Sequence, residues 1–241
     1  MLKLLFLLLK GAKFGKVLLT SGTMLLSVFA YSLIFGWQYA VGFVLLIFVH
    51  EMGHYIAARQ RGLDVGAPTF IPFVGAWIQL KEMPHDVETE AYVGMAGPLA
   101  GTVGALVCYY LARQTGSNLL LALSYSGFFL NLFNLIPLSP LDGGRITAAI
   151  SPRIWLLGVP VLVGVFFLRP SMLLIMIAII AAPQVMKAWK FRADDPANGD
   201  YYKVSSETRL NYGLLYVGMV IFLAIMSQDV HEMLAAVRAT H

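Results

Sequence analysis

The sequence predicts an all-α polytopic membrane protein of about six to seven transmembrane helices, with one small membrane-associated β-hairpin. Three observations predict it. Of the 241 residues, 59% are hydrophobic and only 12% charged, about half the charged share of a soluble domain. The mean hydropathy is +0.74, and a water-soluble fold cannot hide that much apolar surface. The apolar residues also gather into runs at roughly 17–35, 38–57, 92–112, 118–141, 154–168, 171–186 and 210–227, most of them near the ~20 residues that a helix needs to cross hydrocarbon.

Each element follows in order. The opening "MLKLLFLLL" resembles a signal-peptide core, but "KGAKFGK" follows it in place of a small-residue cleavage site, so it reads as a retained interfacial helix. Between the second and third runs, "PTFIPFVGAWIQLKEMP" (Pro68–Pro84) mixes aromatic, β-branched and Gly residues between prolines. That composition favours strands, so a re-entrant β-hairpin is expected over about 66–84. Gly97 and Gly101 in the third run form a small-xxx-small face suited to close helix packing, and Cys108, the single cysteine, reads as structural. The fifth and sixth runs are short and are separated by Arg169-Pro170. They predict two short antiparallel helices or one re-entrant hairpin. The polar run Arg192–Arg209 predicts a solvated cytosolic loop over about 190–208. No internal repeat divides the chain, and residues 1–241 read as one integral membrane domain.

The net charge of +4 reflects topology. Apart from Arg113, Arg169 and Arg238, all 17 Lys and Arg residues fall on the inner side of this arrangement if the N-terminus is cytosolic. That asymmetry is the positive-inside pattern, and it places the C-terminus outside after seven crossings. A nucleic-acid partner is not implied, whereas a lipid bilayer is. The expected location is the cell (plasma) membrane.

Within the seven runs the only ionisable Asp, Glu, Lys, Arg or His residues are His50, Glu51 and His54, in "FVLLIFVHEMGHYIAAR" (Phe43–Arg59). Each such group at mid-membrane costs ~2.5–3.5 kcal/mol even on the lenient insertion scale, so a functional reading is the default. Residues i and i+4 share a helix face, so His50 and His54 can offer two nitrogens to one metal. Glu51, one position on, can reach a metal-bound water as general base.

Catalytic zinc usually takes three protein ligands and keeps a fourth position open. His85, His231 and His241 lie in polar or terminal stretches and read as ordinary solvated histidines. The remaining apolar-flanked carboxylate is Asp142, in "NLFNLIPLSPLDGGR" (Asn131–Arg145). Pro137 and Pro140 break a helix there, and Gly143-Gly144 loosens the backbone. Broken backbone at membrane depth survives where it lines a polar cavity.

His50-Glu51-Met52-Gly53-His54, followed by Asn134-Leu-Ile-Pro137-Leu-Ser-Pro140-Leu-Asp142-Gly143, resembles the site-2 protease family of intramembrane zinc metalloproteases. "FIPFVGAWIQL" and "AYVGMAGPLAG" are similar to that family's segments between its two motifs. No PDZ insertion or nucleotide-binding regulatory tail is expected. The resemblance implies one Zn2+ per chain, held by His50, His54 and Asp142, with Glu51 as general base and Asn134 holding the substrate or its oxyanion. It also implies that the hairpin offers an edge strand, around Val74, Gly75 and Ala76, to an extended substrate.

The implied function is hydrolysis of a peptide bond in or near the transmembrane segment of another membrane protein, as in regulated intramembrane proteolysis. The active site would lie nearer the cytosolic side, and a regulatory membrane partner stays unidentified. Two other classes remain. A metal-ion transporter should carry polar residues along several spans. A catalytically silent binding relative would usually have lost Glu51 or a ligand.

Overall fold

The structure, a computed structural model, describes residues 2–78, 84–192 and 200–239. Its helices are α1 (Leu2–Phe35), α2 (Trp37–Gln60), α3 (Val87–Thr115), α4 (Asn118–Asn134), α5 (Asp142–Ile150), α6 (Trp155–Leu168), α7 (Met172–Lys190) and α8 (Ser206–Ala239). The strands β1 (Thr69–Ile71) and β2 (Gly75–Trp77) lie between α2 and α3. Five helices, α1, α2, α3, α7 and α8, are long and apolar enough to cross a membrane. With α4 (17 residues, ~26 Å) and α6 (14 residues, ~21 Å), they account for the seven apolar runs. The expected all-α polytopic fold with one small hairpin is what forms, and the chain is an integral membrane protein.

Local chemistry sets the boundaries. Gly36, at φ 82°, separates α1 from α2 in a single residue. The Asp86 carboxylate accepts from Thr89 N at 2.6 Å and starts α3, with Glu88 and Glu90 in the first turn, where acidic groups suit the helix dipole. Gly116, left-handed at φ 69°, stops α3, and Ser117 at once caps α4. The first element differs from expectation: α1 runs unbroken from Leu2 to Phe35, so the interfacial stretch and the first span are one helix.

Helix α3 sits in the middle of the bundle, packed on α2, α4 and α5. Helix α8 covers α4 and α5, and α1 lies on α2 and β1. The α6–α7 pair packs on itself and joins the rest through α5 and the turn Pro152–Ile154. Many large apolar side chains face outward, among them Leu33, Phe167, Leu168 and Ile179. In water such a surface would aggregate, but against lipid tails it is the solvated face.

The hairpin is antiparallel, in the register Thr69↔Trp77, Phe70↔Ala76 and Ile71↔Gly75. It is narrower than the expected 66–84, and residues 79–83 of that range lie outside the described residues. Helix α1 holds it through Thr20 Oγ1 donating to the Pro68 carbonyl (2.7 Å) and Thr23 Oγ1 accepting from Phe70 N (3.2 Å). Tyr31 OH accepts from Phe73 N as well.

The loop over 190–208 is less solvated than its composition implied. Residues 193–199 lie outside the described residues, but the part that follows is docked. The Tyr201 carbonyl accepts from Val87 N, and its hydroxyl donates to Glu90 at 2.6 Å. Burial, with the Glu90 carboxylate beside it, pushes the Tyr201 phenol well above its ordinary pKa. Arg209 donates to the carbonyls of Ile150 and Tyr202. Aromatic rings in the run, paired as Phe191–Tyr202 and Tyr201–Tyr202, are what find these contacts.

Candidate metal centre

His50, Glu51 and His54 lie within about one turn of α2, and all are buried, at 3, 8 and 7% exposure. Asp142 is the first residue of α5 and equally buried. Its carboxylate straddles the two rings, with Oδ2 at 3.1 Å from His50 Nε2 and Oδ1 at 3.3 Å from His54 Nε2. The two Nε2 atoms are 3.1 Å apart. Ligand atoms of these three residues all lie within 4.8 Å of one another, the one such group among the described residues. Glu51 is buried beside the group and contributes no atom to it.

The donor set fits a metal ion on two grounds. Each imidazole meets an oxygen at its outer nitrogen: His54 Nδ1 donates to the Val93 carbonyl at 2.7 Å, and His50 Nδ1 lies 2.8 Å from Asn131 Oδ1. With their outer nitrogens paired in this way, neutral rings turn lone-pair nitrogens inward toward the Asp142 carboxylate, a donor set suited to a cation at its centre. The spacing agrees as well. Two donors at ~2.0–2.1 Å from a common tetrahedral ion stand ~3.3 Å apart, close to the 3.1 Å between the two Nε2 atoms.

Close helix approach makes the cluster possible. A Cβ on Gly97 would lie 2.2 Å from His54 Nε2, one on Gly101 2.3 Å from Asn131 Oδ1, and one on Gly53 2.3 Å from the Ala96 carbonyl. The small-residue face of α3 is thus the wall against which the histidine and the asparagine lie. Its reading as packing alone was incomplete.

The broken stretch between α4 and α5 positions Asp142. Helix α4 ends at Asn134, and a run of short turns follows, with Leu138 N donating to the Ile136 carbonyl (2.7 Å) and Leu141 N to that of Leu138 (2.9 Å). The Ser139–Pro140 peptide in it is cis. Tyr216 of α8 donates to the Leu135 carbonyl at 2.6 Å, and Trp155 Nε1 to that of Gly144 at 2.8 Å. These side chains pair backbone groups that hydrocarbon would leave unmatched. A Cβ on Gly143 would stand 2.2 Å from the Leu135 carbonyl, so α5 can begin on top of the turn only with glycine there.

Of the residues expected at the site, His50, His54 and Asp142 come together, with Glu51 on the same turn. Asn134 is half-buried at the end of α4, its Nδ2 donating to the Leu130 carbonyl at 3.0 Å. Val74, Gly75 and Ala76 belong to the hairpin turn and β2. Asn131 was not foreseen. Its signal was present, as an amide inside an otherwise apolar stretch of helix, but its partner lies 81 positions away.

Comparison with known proteins agrees with this geometry. Residues 38–116 match the sequence model of peptidase family M50. The chain is 34% identical over 120 residues to the zinc metalloprotease MJ0392 of Methanocaldococcus jannaschii, covering 46% of this chain and 34% of that protein. It is 32% identical over 117 residues to Rip3 of Mycobacterium tuberculosis, named as a candidate zinc metalloprotease, covering 46% of this chain and 30% of the relative. It is also 29% identical over 152 residues to the protein named probable zinc metalloprotease EGY2, chloroplastic, of Oryza sativa, covering 45% and 28%. The alignments thus span about a third or less of each relative's length. The H-E-x-x-H helix lies inside the segment, residues 38–116, over which the chain is similar to peptidase family M50, the site-2 protease family, and Asp142 folds against that helix.

Proposed function

We propose that the chain is a zinc-dependent intramembrane endopeptidase that cuts a peptide bond in or near the transmembrane segment of a membrane-protein substrate, as in regulated intramembrane proteolysis. One observation carries this reading. A buried His-His-carboxylate cluster, with a further buried carboxylate beside it, is built between α5 and a helix, α2, long enough to span the bilayer. Zinc held by His50, His54 and Asp142, one ion per chain, supplies Lewis acidity toward a peptide carbonyl and toward water.

The chain's own groups supply the rest. A Glu51 carboxylate oxygen accepts the proton of the attacking water and returns it to the leaving amine. Asn134 engages the substrate backbone. Its amide nitrogen carries two hydrogens, one on the Leu130 carbonyl, and the other serves the substrate oxygen. A helical substrate hides its carbonyls in its own hydrogen bonds, so it must unwind before attack. The β2 edge, which has no strand partner among the described residues, offers the freed groups new partners at Val74–Ala76.

The positive-inside bias puts the N-terminus in the cytosol of a cell whose plasma membrane holds the protein. His54 lies ~8 Å along α2 from Arg59 at its cytosolic end. The cut then falls in the cytosolic half of the bilayer and releases a cytosolic fragment. The test is incubation of purified protein with single-span substrates, with cut sites mapped by mass spectrometry. Cuts confined to the outer half would overturn the depth assignment, and cutting without zinc would overturn the chemistry.

A further inference from the structure

We infer that Asn131 is a positioning residue of the metal centre, selecting the His50 tautomer that aims a lone pair at the ion. The inference rests on the reading of His50, His54 and Asp142 as metal ligands. The chain of constraint starts at a group with only one role. The Gly127 carbonyl can only accept, so the end of Asn131 that lies 2.7 Å from it is the amide nitrogen. The amide oxygen then faces His50 Nδ1 at 2.8 Å. That oxygen can only accept in turn, so the proton of the neutral imidazole is held on Nδ1, and Nε2 is left bare. Nε2 is the nitrogen 3.1 Å from Asp142 and from His54. A backbone carbonyl of α4 thereby orders, through one side chain, a ligand on α2.

The surroundings keep this relay from slipping. Asn131 is 1% exposed, so water does not compete for either end of the amide. Gly101 leaves the space that the amide fills. The two histidines are served differently. His54 leans on the Val93 carbonyl, a main-chain acceptor that no substitution at that position removes, whereas His50 depends on a side chain. The rival account is an ordinary interhelical hydrogen bond holding α2 to α4. Such a bond would be indifferent to which ring nitrogen keeps the proton.

Two measurements on the full chain in detergent decide between them. In the metal-free wild-type protein, the histidine nitrogen-15 spectrum, with His50 assigned by its loss in His50→Ala, should show His50 protonated at Nδ1. Protonation at Nε2 overturns the inference without any variant having to fold at residue 131. In chelator competition, Asn131→Leu should weaken zinc binding by ~10–100-fold, as outer partners of ligating histidines typically do. Asn131→Asp keeps an acceptor oxygen toward Nδ1 but loses the donor to the Gly127 carbonyl, so it should hold zinc more tightly than Asn131→Leu. Equal affinity of wild type and Asn131→Leu overturns the inference while the metal centre stands. An equal loss in Ser124→Ala, a buried hydroxyl of α4 bonded within its own helix, marks a packing effect and also overturns it. A wild-type chain that takes up no zinc overturns the metal reading, and this inference with it.

Discussion

His54, Asp142 and Glu51 are buried alike, yet their substitution should separate cleanly. His54→Ala or Asp142→Ala removes one of three donors, so elemental analysis of the inserted protein should find the roughly one zinc per chain gone. Zinc unchanged in both variants would refute the ligand set. Glu51→Gln keeps shape and hydrogen bonding but has no basic oxygen. Zinc should stay, and cleavage should fall by ~10²-fold or more. Undiminished cutting by that variant would remove Glu51 from its role. These residues were legible because the helix repeat is local: His50, Glu51 and His54 share a turn whatever the rest of the chain does. Asp142 stood out as a carboxylate in an apolar, proline-broken setting. Asn131 did not, because an asparagine in an apolar run has many packing explanations and its purpose depends on α2 lying against α4.

At the scale of elements, the glycines of α3 are the sharpest test. Gly97→Ala places a methyl 2.2 Å from His54 Nε2, and the contact is with an imidazole ring already pinned at its other nitrogen by Val93. Overpacking of this kind costs about 1–3 kcal/mol. Here it should appear chiefly as loss of zinc, with insertion and helical circular dichroism kept. Gly218→Ala in α8, where nothing lies within 4 Å of the new methyl, should leave zinc content unchanged. Equal zinc retention in the two would show that α3 does not shape the site. The Gly-x-x-x-Gly spacing made close packing legible, but it could not name what packs there, since that depends on the phase of two other helices. The hairpin was legible from its prolines and β-branched residues, while its anchor on Thr20, Thr23 and Tyr31 of α1 needed the fold. The docked end of the 190–208 loop was missed because its polar composition matches that of a solvated loop, and only the position of Val87 and Glu90 turns Tyr201 inward.

At the scale of the whole molecule, hydropathy made the class and the order of the helices plain, because lipid leaves a chain few other choices. Seven crossings follow if α4 and α6, the two short helices, both traverse. A reporter fused after α8 should then be active only outside the cell, and one fused within residues 61–64 only in the cytosol. Activity of the C-terminal fusion in the cytosol alone would lower the count by one, and the ~21 Å of α6 make it the helix to suspect.

The hydrogen bond from Tyr216 to the Leu135 carbonyl ties the turn that precedes Asp142 to a helix much later in the chain. Both histidines enter the membrane with α2, among the first sixty residues, but the turn that delivers Asp142 gains this donor only when α8 follows more than seventy residues later. A nascent chain halted before Ser206 therefore carries the H-E-x-x-H helix without the side chain that braces the turn ahead of Asp142. Chains released at that point should bind zinc weakly and cut nothing. Tyr216→Phe in the full-length protein should reproduce part of that weakness, and zinc retention measured on the two side by side would show it. If the chain is the protease proposed above, it would be unable to cut until α8 is in place.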